Sequence, residues 1–391
     1  MTARQKILLK TVVFTLIAVL GTYFLFICAS FVAAYVSTRD EVVFWTEWQQ
    51  KYVAALEANY KAGTASKVNE QDFCDFDLTK ALTSGTKINE LRMLATHNSY
   101  KQGTTTATNI FYNYALPVLL GKKYDYTFDT ITEQFNHGIR SIEIDLGKVK
   151  TDDGFEVRVY HNALTEAGSS MINFELGLKE MKMWSDYNPS HLPVFVLVEL
   201  KGGSISPYVD FDPESIAYVD EAISRIMGDS LFTPADAIGE YENFGALRAS
   251  NGYPALKTML GKFVFLFHET SRIDDYASLD ETFLSQKMFI ALKEKQGKLA
   301  SPEYLDKAMF IILNNPENNR QKPLVEMAVE ENFIIRTRLD EYALISDERF
   351  VAAMECGAQI LSTDYPPATE DRYGYTVKIC ESGKTIILRN K

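Results

Sequence analysis

Between Leu91 and Thr363 the chain carries eight short β-rich apolar runs, most of them separated by segments long enough for a helix. They are "LRMLAT", "IRSIEIDL", "FEVRVY", "VFVLVEL", "KFVFLF", "MFIILN", "FIIRTR" and "AQILST". Consecutive parallel strands need a crossover of about a dozen residues, which a helix supplies. "INFELGLKEMKMWSDYN" and "SDERFVAAMECG" read as such helices, the second stopping at Gly357 as a helix should. Eight alternations of strand and helix predict an α/β fold, a closed (β/α)8 barrel of the TIM type. A doubly wound open sheet is the alternative. That fold normally has a glycine-rich phosphate loop after its first strand, and none follows "LRMLAT".

A barrel of this kind builds its active site at the C-terminal ends of its strands. Read in order, those ends carry His97 and Asn98, Glu143 and Asp145, His161, Glu199 and Lys201, His268, Asn314, Arg336 and Arg338, and Asp364. Each has a bland explanation alone; "LATHNSYK", for example, is by itself a polar turn after a strand. Their gathering at one rim predicts an active site. In "IEID", strand alternation puts Glu143 and Asp145 on the same face, about 7 Å apart. Two carboxylates in one barrel mouth repel and require a proton, a cation or an arginine. Glu199 ends a run too apolar for a surface strand and adds a third. Together with the Asn98 amide oxygen they form an all-oxygen set that suits Ca2+, and Mg2+ less well. The structural alternative is a partly exposed Glu199 paired with Lys201 or an arginine.

His97 and His161, at the ends of the first and third predicted strands, would face each other across the mouth. Such a pair suits a general base and a general acid acting on a phosphodiester. Lys201, Arg336 and Arg338 are candidates to hold its non-bridging oxygens. His137 and His191 read as structural, and His268 lies on the rim with no partner evident.

From Thr11 to Thr38 no residue is charged, longer than the ~20 residues that cross a bilayer core. Arg4, Lys6 and Lys10 precede the stretch, which predicts a cytoplasmic N-terminus and an extracytoplasmic catalytic domain. Trp45 and Trp48 fall where an interfacial aromatic belt would lie. A cleaved signal peptide, giving a secreted enzyme, is the alternative, although signal cores run only about 7–15 residues. Residues 1–40 are therefore expected to form the anchor, 41–86 a juxtamembrane helix and linker, and 87–391 the barrel. The formal net charge of −12 argues against a nucleic-acid partner and against a polybasic membrane patch. No obligate protein partner is evident. Cys28 falls in the apolar span, and the other three cysteines show no metal-ligand spacing.

"THNSY", "GIRSIEIDLGK", "VYHN" and "VFVLVELKG", in that order, resemble the phosphoinositide-specific phospholipases C of the PLC-like phosphodiesterase superfamily. "FIIRTRLD" and "GAQILSTDYP" resemble its calcium-dependent bacterial-type branch. The resemblance spans roughly residues 87–380. It implies that His97 helps deprotonate the inositol 2-hydroxyl and that His161 protonates the departing diacylglycerol oxygen. It further implies that Asn98, Glu143, Asp145 and Glu199 hold Ca2+, with Glu199 also able to assist as a base. Asp364, ending the last strand and so beside the first, is the candidate to orient His97. The expected substrate is a phospholipid in a bilayer, with phosphatidylinositol foremost. An extracytoplasmic site would leave the head group open. A glycerophosphodiesterase or a sphingomyelinase-D-like enzyme is a related alternative, but those families have a His-Arg pair where this chain has His97-Asn98. A catalytically dead, membrane-tethered barrel is the remaining one. The long insert "KQGTTTATNIFYNYALPVLLGKKYDYTFD" carries an apolar "FYNYALPVLL" that could serve as a lid, a membrane-dipping rim or a packed loop.

Overall fold

The computed structural model describes residues 2–115, 126–203, 206–268, 270–341, 346–367 and 376–389. Eight parallel strands form a closed ring: β1 (Leu91–Thr96), β2 (Ser141–Thr151), β3 (Val194–Leu200), β4 (Phe263–Phe267), β5 (Met288–Lys295), β6 (Phe310–Ile312), β7 (Ile334–Arg338) and β8 (Ile360–Thr363). β1 closes it, pairing with β8 on one side and meeting β2 at Ala95–Ser141 on the other.

Seven of the eight predicted strands are barrel strands; "FEVRVY" is not. Gly154–Val159 runs antiparallel to β2, from Thr151–Gly154 to Leu146–Val159. The turn between them is too short for a parallel crossover, so this segment can only fold back as a hairpin. The missing barrel strand is β5, "MFIALKEK". Its apolar half is obscured in the sequence by Lys293, Glu294 and Lys295, of which Lys293 still pairs with Ile312 and the other two extend past the barrel to pair with Lys298–Leu299. His161 consequently reaches the mouth from a hairpin above β2, not from the end of a barrel strand.

Alternation sorts the strand residues into two layers. Met93, Ala95, Phe195, Leu197, Val264, Leu266, Phe289, Ala291, Phe310, Ile312, Ile334 and Ile360 share one buried cluster, the barrel interior. Leu94, Ile142, Ile144, Val196, Val198, Phe265, Ile290, Ile311, Ile335 and Leu361 belong to another, beneath the helices. The inward parity, carried one or two steps further toward the C-terminal ends, falls on His97, Glu143, Asp145, Glu199, His268, Asn314, Arg336, Arg338 and Asp364. Gly147 lets the hairpin lie flat, since a Cβ there would stand 1.9 Å from the Tyr160 hydroxyl.

α1 (Ala3–Ala62) is one unbroken helix, closed by Gly63 in the left-handed conformation at φ 66°. Its first half is long and apolar enough to cross a membrane, and Leu8, Phe14, Phe24 and Leu25 stand exposed there. Its second half packs on the barrel. Gln49 and Val53 are buried, Tyr52 donates from its hydroxyl to Thr130 Oγ1 at 2.8 Å, and the Tyr60 ring lies 4.8 Å from Tyr187. Of the insert, Thr106–Ile110 is helical, and Phe111 and Ala115 are buried with Ala34 of α1. The rest of its apolar stretch, from residue 116, lies outside the described residues.

Residues 64–86 also pack against the barrel, at its N-terminal end. Arg140, fully buried, gives Nε and Nη2 to the two Glu70 oxygens at 3.1 and 2.5 Å and Nη1 to the Phe135 and Ile139 carbonyls at 2.7 Å. Removing one partner of a buried ion pair strands the other's charge. Arg140→Met should therefore lower the unfolding free energy by about 3–5 kcal/mol, measured by denaturant titration in detergent. An unchanged midpoint would mean that this segment is not docked.

Candidate active site

β1 delivers His97 to the rim, and the next residue turns the chain: Asn98 adopts φ 51°, which asparagine tolerates better than most residues. His97 Nδ1 lies 2.9 Å from Asp364 Oδ1. The carboxylate can only accept, so Nδ1 carries the proton and Nε2 is left as a free base. Burial and the Arg338 guanidinium, whose Nη2 is 3.3 Å away, push the ring below its usual range, against the opposing pull of Asp364. His97 is thus a neutral imidazole. Asn98 Nδ2 donates to the Tyr126 hydroxyl at 3.1 Å.

Register sets the acidic residues side by side, Asp145 being the direct partner of Glu199 across β2 and β3. Each carboxylate has one oxygen engaged. Asp145 Oδ2 accepts from the Tyr100 hydroxyl and from Lys201 Nζ, both at 2.8 Å. Glu199 Oε1 accepts from Lys201 Nζ at 3.0 Å, and Glu143 Oε2 accepts from Arg336. The other oxygens are different. Asp145 Oδ1 is buried and finds no hydrogen-bond partner among the described residues. Glu143 Oε1 and Glu199 Oε2 face the His268 ring, at 3.5 and 3.7 Å from its Nδ1. One ligand atom each from Glu143, Glu199 and His268 lies within 4.8 Å of the others, a separation that a single cation can bridge.

The charges follow from these contacts. Burial resists ionisation of Glu143, yet Arg336, with His97 and His268, holds it well below the usual carboxylate range. Burial likewise resists at Glu199, and Lys201 and His268 outweigh it. At Asp145 burial prevails, reinforced by Glu199 and Glu143, and its pKa is raised in spite of Lys201. Asp145 is the carboxylate in greatest deficit of positive charge.

His161 stands on the other flank, partly exposed, with Nδ1 hydrogen-bonded to Glu166. Glu166 is buried, but Lys101 and His161 keep it ionised below its usual range. A pocket of about 240 Å³ opens here, lined by Tyr160, His161, Leu164, Lys201 and Tyr208 among others.

The twelve residues read from the sequence at the strand ends all lie at this mouth, His161 on its hairpin and the other eleven at or just beyond the ends of barrel strands. The three cations have particular places. Lys201 spans Asp145 and Glu199, Arg336 is committed to Glu143, Asn314 and Ser362, and Arg338 sits between His97 and Asp364. Glu166, Tyr100 and the partnership of His268 were not foreseen. Glu166 follows His161 by five residues in an ordinary-looking loop, and no local signal marks it.

The family comparison assigns this closed parallel barrel to the PLC-like phosphodiesterases. The sequence profile of the family described as phosphoinositide phospholipase C, Ca2+-dependent, matches residues 86–155 and 148–387, and the chain belongs to that family. It is a phosphodiesterase of the phosphoinositide phospholipase C type. No curated protein matches it significantly by sequence. Among solved structures, the calcium-dependent phosphoinositol-specific phospholipase C of a Gram-negative Pseudomonas sp. is 18% identical, with a TM-score of 0.52 over 77% of this chain and 95% of that one. The Ca2+-dependent phosphatidylinositol-specific phospholipase C of Streptomyces antibioticus is 17% identical, with a TM-score of 0.52 over 78% of this chain and 99% of that one. Both share the fold.

Lys201 neutralises two acids at once, so its loss is not independent of theirs. Lys201→Met should destabilise the protein by about 2–4 kcal/mol, less than a fully buried pair because Lys201 is partly exposed. Adding Asp145→Asn should recover part of that loss, giving a coupling of about 1 kcal/mol or more in a double-mutant cycle. Strictly additive effects on the denaturation midpoint would mean the two charges do not act together.

Proposed function

We propose that the enzyme is a calcium-dependent phospholipase C that cleaves phosphatidylinositol to diacylglycerol and inositol cyclic phosphate. One observation carries the reading. Two histidines, each backed by its own carboxylate, flank three carboxylates that each keep one oxygen untouched by lysine or arginine among the described residues.

His97 is neutral with Nδ1–H held by Asp364, so its Nε2 can take the proton from the inositol 2-hydroxyl as that oxygen attacks phosphorus. The bond between phosphorus and the glycerol oxygen breaks, and His161, oriented by Glu166, gives that oxygen a proton. Lys201 shares the pocket with His161 and is assigned to a non-bridging phosphate oxygen, with Arg338 beside His97 as the second cation. Arg336 is assigned instead as the counter-charge of Glu143. The free oxygens of Glu143, Asp145 and Glu199, with the Asn98 amide, suit a Ca2+ ion. When bound, such an ion supplies Lewis acidity at the phosphoryl oxygen and lowers the pKa of the attacking hydroxyl. His268 would stand beside it.

α1 serves in this reading as a retained anchor with a cytoplasmic N-terminus and the barrel on the opposite side. The basic residues ahead of the apolar stretch support that orientation.

Incubated with phosphatidylinositol vesicles, the purified protein should release diacylglycerol and inositol cyclic phosphate, resolved by phosphorus NMR. Chelator should stop the reaction, and Ca2+ should restore it better than Mg2+, whose octahedral demand fits this ligand set less well. Full turnover in excess chelator would refute the calcium assignment, and release of phosphocholine or glycerol phosphate from other lipids without turnover of phosphatidylinositol would refute the head group.

The two histidines separate by leaving group. His161→Ala should lose roughly two to four orders of magnitude on lipid, the span of acid–base catalysis. Most of that loss should vanish on a nitrophenyl inositol phosphodiester, whose leaving group departs without a proton. His97→Ala should be impaired on both substrates, and equal losses of His161→Ala on the two would void its assignment.

A further inference from the structure

The loop that carries the acid is not self-supporting. Between Asn162 and Asn173 it contains a two-residue bridge, Asn162 to Glu166, that presents Glu166 to His161, with two short-range bonds from the Leu164 and Met171 amides, and three outside elements also hold its backbone. One side is the segment that follows His97. The Gln102 amide donates to the Gly168 carbonyl at 3.1 Å, and the Ser170 amide donates to the Tyr100 carbonyl at 2.9 Å. A second side is the insert, where the Thr108 hydroxyl donates to the Thr165 carbonyl at 2.8 Å.

The third side is α1. Gln49, fully buried, makes a two-point contact with one backbone unit: its Nε2 donates to the Asn173 carbonyl at 3.1 Å, and its Oε1 accepts from the Asn173 amide at 2.7 Å. The adjacent Ile172 carbonyl accepts from the Val159 amide at 2.9 Å, two residues before His161. One and two turns earlier in α1, Trp45 and Glu41 cover Gly168 so closely that a Cβ there would lie 3.4 Å from the indole nitrogen and 3.2 Å from the Glu41 carboxylate. A glutamine whose whole amide is spent on a loop backbone inside the protein fixes that loop's position, because both groups would be unsatisfied if the loop moved.

We propose that α1 is a positioning element of the active site, with Gln49 the residue that holds the His161–Glu166 loop in register with His97. The inference rests on His161 being the general acid. The helix that carries the apolar membrane-length segment then also braces the catalytic loop from behind, and the hairpin's acid is aligned by an element outside the barrel. Gln49 touches no substrate; it acts through the loop.

The test uses the full-length protein in detergent micelles and two variants. Gln49→Leu removes both hydrogen bonds at similar volume. Gly168→Ala adds one methyl at the Trp45 contact and leaves every hydrogen bond chemically possible. Each is assayed for kcat on phosphatidylinositol and on the nitrophenyl inositol phosphodiester, with His161→Ala alongside and thermal melting as a check on folding. A displacement of about 1 Å at a catalytic group costs about a hundredfold. At least one folded variant should lose about ten- to a hundredfold in kcat on the lipid, with KM little changed, and less than threefold on the nitrophenyl substrate. Equal losses on both substrates, or no loss on either, would overturn the inference while His161→Ala still shows its leaving-group dependence. If His161→Ala shows none, the acid assignment itself falls and takes this inference with it.

Discussion

Everything at the mouth of the barrel depends on burying three carboxylates on neighbouring inward positions. Glu143, Asp145 and Glu199 lie on two adjacent parallel strands, and strand register alone would force them into mutual repulsion. Arg336 and Lys201 make the arrangement tolerable, each taking one oxygen of the acids it contacts. The compensation is incomplete by design of the geometry, since Asp145 keeps a buried oxygen with no partner among the described residues. A group in that condition costs free energy in the folded state unless something arrives to satisfy it. That deficit is what the proposed cation would relieve, and the same fixed charges hold the Glu143 pKa low.

The histidines are set apart by the same economy of charge. Arg338 close to His97 disfavours a second positive charge there, which leaves a neutral ring with a defined tautomer. On the opposite flank Glu166 is kept ionised by Lys101 and offers its charge to His161. Both rings are held through Nδ1 by a carboxylate, Asp364 for His97 and Glu166 for His161, and they differ in that an arginine, Arg338, also stands against the His97 ring.

Period-two alternation made much of this readable from residues alone. In "VFVLVEL" Glu199 continues the inward series of Phe195 and Leu197, and in "IEID" Glu143 and Asp145 alternate with the outward Ile142 and Ile144, so all three acids could be assigned to one mouth from the sequence. Asp364 could be placed beside His97 because β8 closes onto β1. The hairpin was not readable: "FEVRVY" has the same alternation as a barrel strand, and only the short "TDDG" turn distinguishes it. The mirror-image error hid β5 behind "KEK". Glu166 and Gln49 were beyond reach for another reason. Their roles come from contacts across the fold, Gln49 meeting Asn173 over a long sequence separation, and a polar residue in a helix or a loop carries no mark of its partner.

The central claim is that the free carboxylate oxygens form one calcium site. Isothermal titration of Ca2+ into chelator-stripped His97→Ala protein, with no lipid present, measures this without reliance on activity. The account predicts a single binding event, weaker or absent with Mg2+ and lost in the Asp145→Asn double variant. Absence of binding, or binding of equal strength after Asp145→Asn, would contradict it.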